Sequence, residues 1–354
     1  MSTEVLGPRM RWRVESWDPG YGVSSEETAE LSQSTARLAL DVEVPAARWR
    51  PISPGAGPGR GAGSWPAVLF VDGVRRIDAM AWISDEDPVT GDGLGPDEDV
   101  LGDGGPATLD GGTASLALCA SYAAGVVCCR PDEARLHTAE VRRGLFSTAR
   151  HASDVVTSAG RYSRVHTERR GEAATDLSLA LQRALAELEA SVAAAARSAR
   201  DADPTGGDLL VVDGPLRGRQ HLPRVLGLIK THRSEYLPAE QHRMVGGLAA
   251  GQRTPVFGLG TSWQRYSWYL RLPGGSGAPW AGVVRVECAA ERPVAEVLEL
   301  ADRSAPMLCR YASTEYKDSR APQNLYPIAG LERELRRRLG DRALIYRAIR
   351  RAAG

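Results

Sequence analysis

Two apolar runs in this chain stop on the same dipeptide: AVLFVDG at 67–73 and LLVVDG at 209–214. Each reads as a buried strand that ends on an aspartate. That constrains the fold, because a carboxylate at the edge of a core is costly unless something pairs with it. A chain that does this twice must bring a partner to Asp72 and to Asp213, or use both Asp-Gly pairs as surface turns, which the two residues also suit.

The segments around these runs give the fold class. From Trp65 onward, PAVLFVDG and VRRIDAMAWI read as two strands meeting at Asp72-Gly73. SLALCASYAAGVVCC reads as the returning strand. A helix is predicted over 175–200, with further strands at DLLVVDG and RVLGLIKTH and a short helix near AEQHRMVGGLAAG. WQRYSWYLRLP and WAGVVRVECAA form a hairpin, and the tail is helical after Pro327. Strands first, then helix and strand in alternation, predict an α/β mixed sheet with an antiparallel edge, flanked by helices. Residues 1–64 read as a flexible N-terminal extension ending in the Gly/Pro-rich connector PISPGAGPGRGAGSWP, which lacks any phosphate-loop pattern. The folded domain spans 65–354 and carries an acidic, glycine-rich loop over 84–113 that holds too few bulky residues to order itself.

Composition removes several classes. The 44 basic and 44 acidic residues cancel, so only local charge can point to a polyanion. Five cysteines with no CxxC pair predict reduced thiols and a cytoplasmic protein. No leader opens the chain, and no apolar run is long enough to span a membrane. The six histidines are scattered without HExxH, and GxSxG is absent, which argues against zinc and serine hydrolases.

Carboxylates remain. On the predicted helix, Leu181, Leu185, Leu188 and Val192 form one stripe, with Glu189 on its flank and Glu187 pointing away. A helix packed by that stripe aims Glu189 toward the sheet. Two strand-end aspartates and a flanking glutamate suit a hard cation, Mn²⁺ or Mg²⁺, which prefers carboxylate and water oxygens. Such ions support phosphodiester hydrolysis. The alternative for Glu189 is a solvated helix residue.

FVDG at 70–73, VVDGPL at 211–216, LGLIKTH at 226–232 and the tail KDSRAPQNLYPIAGLERELRRRLGD together resemble the NurA family of DNA-repair nucleases. The resemblance implies an RNase H-like fold and a manganese-dependent deoxyribonuclease, an exonuclease with single-strand endonuclease activity, acting in DNA end processing and double-strand break repair. It also implies a homodimer that partners a HerA-type hexameric ATPase. Carried over residue by residue, it makes Asp72, Glu189 (with Glu187 as runner-up), Asp213 and Tyr326 catalytic; Asp318, eight residues before Tyr326, is the candidate to complete the metal site where the family histidine is missing. Ala329-Gly330 stands where archaeal members have Ala-His. That departure leaves open a catalytically inactive DNA-binding or ATPase-adaptor subunit.

For DNA contacts the sequence offers Lys230, Lys317 and Arg320 beside the expected metal site. The tail adds eight arginines against three acids after Leu331, with Arg336, Arg337 and Arg338 in its middle. Pairs such as Glu332-Arg336 and Glu334-Arg338 give that helix a second reading as a solvated face. In the hairpin, alternation puts Trp263, Arg265, Tyr269 and Arg271 on one face, which would suit base stacking or an ordinary packed strand.

Overall fold

The computed structural model describes residues 10, 12–14, 32–33, 36–54, 65–84, 108–109, 112–201, 207–232, 234–275, 278–314, 316 and 320–353. In chain order the strands are β1 (Trp12–Val14), β2 (Ser32–Gln33), β3 (Arg37–Ala39), β4 (Val68–Ser84), β5 (Thr108–Leu109), β6 (Gly112–Cys129), β7 (Ala134–Ser147), β8 (Val155–Thr157) and β9 (Gly160–His166). Helix α1 (Ala173–Asp201) leads into β10 (Leu209–Asp213), β11 (Val225–Ile229), β12 (Ser234–Glu235), α2 (Ala239–Gly246), β13 (Phe257–Gly260), β14 (Gln264–Arg271) and β15 (Val283–Ala289). Three helices close the chain: α3 (Val294–Arg310), α4 (Tyr326–Arg338) and α5 (Arg342–Ala352).

One large mixed sheet runs β3-β13-β14-β15-β11-β10-β4-β6-β7-β9-β8. Its middle is the mixed α/β arrangement, flanked by helices, expected from the sequence. β4, β6 and β7 form an antiparallel meander, and β10 then returns parallel to β4, with β11 parallel beside it. Val68–Val71 of β4 and Leu209–Val212 of β10 are unbroken apolar runs because both faces are covered there. On one face Leu69, Val71, Leu210 and Val212 pack against Leu181, Leu185, Leu188 and Val192 of α1, the predicted stripe. On the other, Phe70, Val74, Leu209 and Val211 pack against α3 and α4 through Val297, Ala301, Ile328, Leu331 and Leu335. Burying one such leucine contributes about 1.5–3 kcal/mol, so each helix is held mainly by its stripe.

Two readings of local structure change. Asp72-Gly73 is not a turn between strands. β4 continues through it for 17 residues, with Asp72 opposite Gly125 and Gly73 opposite Ala124 of β6. The small residues of β6 let the ladder run on, and the glycine serves a helix on the far face instead of a turn. The sequence reading also contains no counterpart of β7, β8, β9 or α3.

The described parts of the first 64 residues join the domain. β1 pairs with the end of β4, β3 with β13, and Ile52 exchanges backbone hydrogen bonds with Arg253. The connector at 55–64, most of the acidic 84–113 loop, and Lys317 and Asp318 lie outside the described residues.

Candidate metal centre

The parallel pairing of β4 with β10 matches Val71 to Val212, so Asp72 and Asp213 follow side by side. Strand alternation turns both toward the face covered by α4. There Glu332 joins them: one carboxylate oxygen from each of Asp72, Asp213 and Glu332 lies within 4.8 Å of the others.

Each carboxylate arrives for a local reason. Asp213 ends β10 because Gly214 takes φ 101° and turns the chain, donating its N–H to Leu228 O at 2.8 Å. The next turn is fastened from below. Leu216 N–H donates to Glu287 Oε1 at 2.8 Å, and the other oxygen of that fully buried glutamate is held by Arg265 and Arg285. Gly227 makes this possible, since a Cβ there would lie 2.9 Å from Gly214 O and 3.0 Å from Glu287 Cγ. Glu332 follows Leu331, one of the buried residues that seat α4 on the sheet.

Two cations border the three carboxylates. Lys230 Nζ sits 2.5 Å from Asp213 Oδ2 and donates to Asn324 Oδ1 at 2.9 Å. Arg320 donates to both oxygens of Glu332, at 2.9 and 2.5 Å. Asp72 is relieved less: the charge of Lys230 and the Gly73 backbone only partly offset its burial. It is 7% exposed, and its Oδ2 is buried with no hydrogen-bond partner. Burial, then the charge of Asp213, raises the Asp72 carboxyl well above the usual range; burial also raises Asp213, against the pull of Lys230. An orphaned carboxylate oxygen beside two further carboxylates is the donor set a hard divalent cation takes. These residues fit such an ion.

The other predicted positions fall elsewhere. Glu189 is on α1, which covers the opposite face of the sheet, so Glu332 and not Glu189 stands third in this cluster. Glu189 Oε2 accepts from Arg219 at 2.7 Å, and its Oε1 lies where a Cβ on Gly73 would stand, 2.5 Å away. Burial raises its pKa, with Arg219 opposing. Gly73 is thus the socket that lets α1 approach β4. Tyr326 opens α4; its hydroxyl shares a 2.7 Å hydrogen bond with Thr314 and lines a groove of about 550 Å³ with Arg130 and Arg310. Arg337 and Arg338 are both held by Glu334, at 2.9 and 2.8 Å, as the self-neutralised reading of that helix has it; Arg336 is exposed. In the hairpin, both faces of β14 are packed. Tyr269 sits in an aromatic group with Phe257 and Trp280, and Arg265 is spent on Glu287. It therefore offers no stacking surface.

The sequence reading missed Glu332 and Asn324. Glu332 carries the same signal that singled out Glu189, a glutamate flanking an apolar helical stripe. Asn324 carries none beyond its place in the tail.

No family model matches the chain, and no curated protein matches it. Among solved structures it is similar to the crystal structure of the NurA nuclease from Sulfolobus solfataricus, with a TM-score of 0.39 and 10% sequence identity over 82% of this chain and 84% of that one.

Proposed function

We propose that the protein is a metal-dependent nuclease that hydrolyses DNA phosphodiesters at the carboxylate cluster. The observation that carries this reading is the buried, unpartnered Oδ2 of Asp72, in a carboxylate that clusters with those of Asp213 and Glu332. In this reading Asp72, Asp213 and Glu332 hold a divalent cation, Mn²⁺ or Mg²⁺, which supplies an activated water and charge stabilisation at the phosphate. Lys230, fixed by Asp213 and Asn324, presents its remaining ammonium proton to a phosphate oxygen. Arg320 holds Glu332 in place and screens the incoming strand's charge. Glu287 positions Asp213 through the Leu216 amide. The family resemblance adds a homodimer working with a HerA-type ATPase in DNA end processing.

The test is Mn²⁺-dependent cleavage of labelled linear DNA by wild type and by Asp213→Asn. Loss of a ligand should cost more than the 10–100-fold typical of residues that merely orient ligands, so cleavage should fall at least about a hundredfold with the fold unchanged by circular dichroism. Wild-type rates in Asp213→Asn would sink the reading. Tight DNA binding without metal-dependent cleavage by the wild type would give the chain the adaptor role instead.

A further inference from the structure

The C-terminal arginines divide into two groups. On α4, Arg337 and Arg338 share Glu334, and Arg320 takes Glu332. On α5 the picture differs. Arg347 and Arg351 stand one turn apart on one exposed side of the helix, and among the described residues no carboxylate pairs with either. They line a groove of about 540 Å³ between α5, β7 and the β8–β9 turn. Arg143 of β7 forms the far wall. Its Nε is buried without a hydrogen-bond partner, and its Nη2 makes only a 3.4 Å contact to Leu339 O. The one acid in the lining, Asp341, is engaged as the helix cap, accepting from Leu344 N–H at 2.9 Å.

This groove shares a face with the carboxylates. Arg143 lies opposite Ser121 of β6 as Asp72 lies opposite Gly125, so the alternation along β6 puts both on the same side. α5 packs by Ile345 and Ile349 on Ala79, Ala81 and Ile83, farther along the strand that carries Asp72. Arg143 is level with Arg76, which pairs with the same Ser121 four residues along β4 from Asp72; at ~3.3 Å per residue along the strand and ~4.8 Å per strand across, the two positions lie about 16 Å apart. That equals about five base pairs of a duplex at ~3.4 Å per step.

We infer that Arg143, Arg347 and Arg351 form a phosphate-binding groove that grips the DNA backbone about five base pairs from the metal centre. The inference rests on the nuclease reading for its substrate, and its chemistry is charge neutralisation without base readout. Three guanidinium groups with no carboxylate partner among the described residues, around one concavity, suit phosphate oxygens, which Arg engages through two donors at once.

The experiment measures binding of a labelled 20-base-pair duplex in EDTA across a salt series, so cleavage plays no part. Arg347→Ala with Arg351→Ala should weaken binding about tenfold and flatten the log–log salt slope by about two. Arg337→Ala with Arg338→Ala removes the same net charge from arginines already neutralised, and should leave the slope nearly unchanged. Equal flattening by both pairs, or none by the first, overturns the groove. So does an unchanged DNA affinity combined with lost binding of polyglutamate, which would assign the groove to an acidic protein. If the groove pair behaves as expected while the wild type cleaves nothing with Mn²⁺, the groove stands and the hydrolysis reading falls. If cleavage is metal-dependent and the groove pair binds as wild type, the reverse holds.

Discussion

Among the described residues, two buried charge clusters contain two or more carboxylates each, and they are built on opposite principles. At Arg253, a fully buried guanidinium donates to both oxygens of Glu43, to Asp302 and to Thr254 O, with distances of 2.6–2.9 Å. Glu43 also accepts from Val256 N–H at 2.7 Å. Each carboxylate there has a cationic partner within the chain. At Asp72, three carboxylates converge, two cations serve two of them, and one oxygen is left with nothing. A buried unsatisfied carboxylate is costly, and a cation from outside the chain is one way such a group is completed. The first cluster is architecture, fastening residues 43–52 to the sheet. The second leaves one buried carboxylate oxygen unmatched among the described residues.

The sharpest way to break the comparison is at its satisfied end. Arg253→Met leaves Glu43 and Asp302 buried without a cation. It should cost about 3–5 kcal/mol of stability, read from urea denaturation. A loss below ~1 kcal/mol would mean the two clusters do not differ as described. Gly73→Ala tests the seam between them and α1. Its methyl would lie 2.5 Å from Glu189 Oε1 and 2.7 Å from Leu185 Cδ1, and overpacking of this kind costs about 1–3 kcal/mol.

Asp72→Asn should act in the other direction. The raised pKa of Asp72 means the folded state holds its proton more tightly than the unfolded chain does. Stability of the metal-free protein therefore falls as pH rises from the ordinary carboxylate range through the folded-state value. The amide removes that dependence, and in EDTA near neutral pH the melting temperature should rise by up to about 2–4 °C. Mn²⁺ should stabilise the wild type and do little for the variant. A steeper pH dependence in Asp72→Asn would contradict the assigned repulsion. The smallest effect is expected on α4: Arg338→Ala should change DNA affinity less than about twofold, because Glu334, whose pKa is drawn down to about 2 by Arg337 and Arg338, already neutralises that arginine.

Much of this was legible in the sequence. The apolar runs fixed β4 and β10 in the core, and their shared Asp ending foretold two carboxylates at one place. The Leu181–Val192 stripe foretold how α1 lies. The third carboxylate was not legible, for a physical reason. Glu189 and Glu332 both flank apolar helical stripes, and nothing local to either helix says which face of the sheet it will cover. That choice belongs to the order of strands, which sets Asp72 and Asp213 facing α4. Gly73 misled for a related reason: a glycine at an apolar strand end signals a turn, and a glycine as a helix socket leaves the same mark.

The bulge in β4 has a mechanical meaning. Between Ile77 and Ala79 the ladder to β6 slips by one residue, and Asp78 is buried there, accepting from Ser121, Tyr162 and Arg76. Arg76, fixed by Asp78, reaches across to the last carbonyls of α4, donating to Gly340 O at 2.8 Å and Leu339 O at 3.3 Å. The helix that carries Glu332 is therefore bolted to the strand that carries Asp72, four residues from that aspartate. In the language of machining, the gap between these two ligands has a short tolerance chain: one strand segment, one guanidinium, two turns of helix. Changes of length in distant loops do not enter it, and the jaws of the site keep their spacing while the rest of the chain is free to vary.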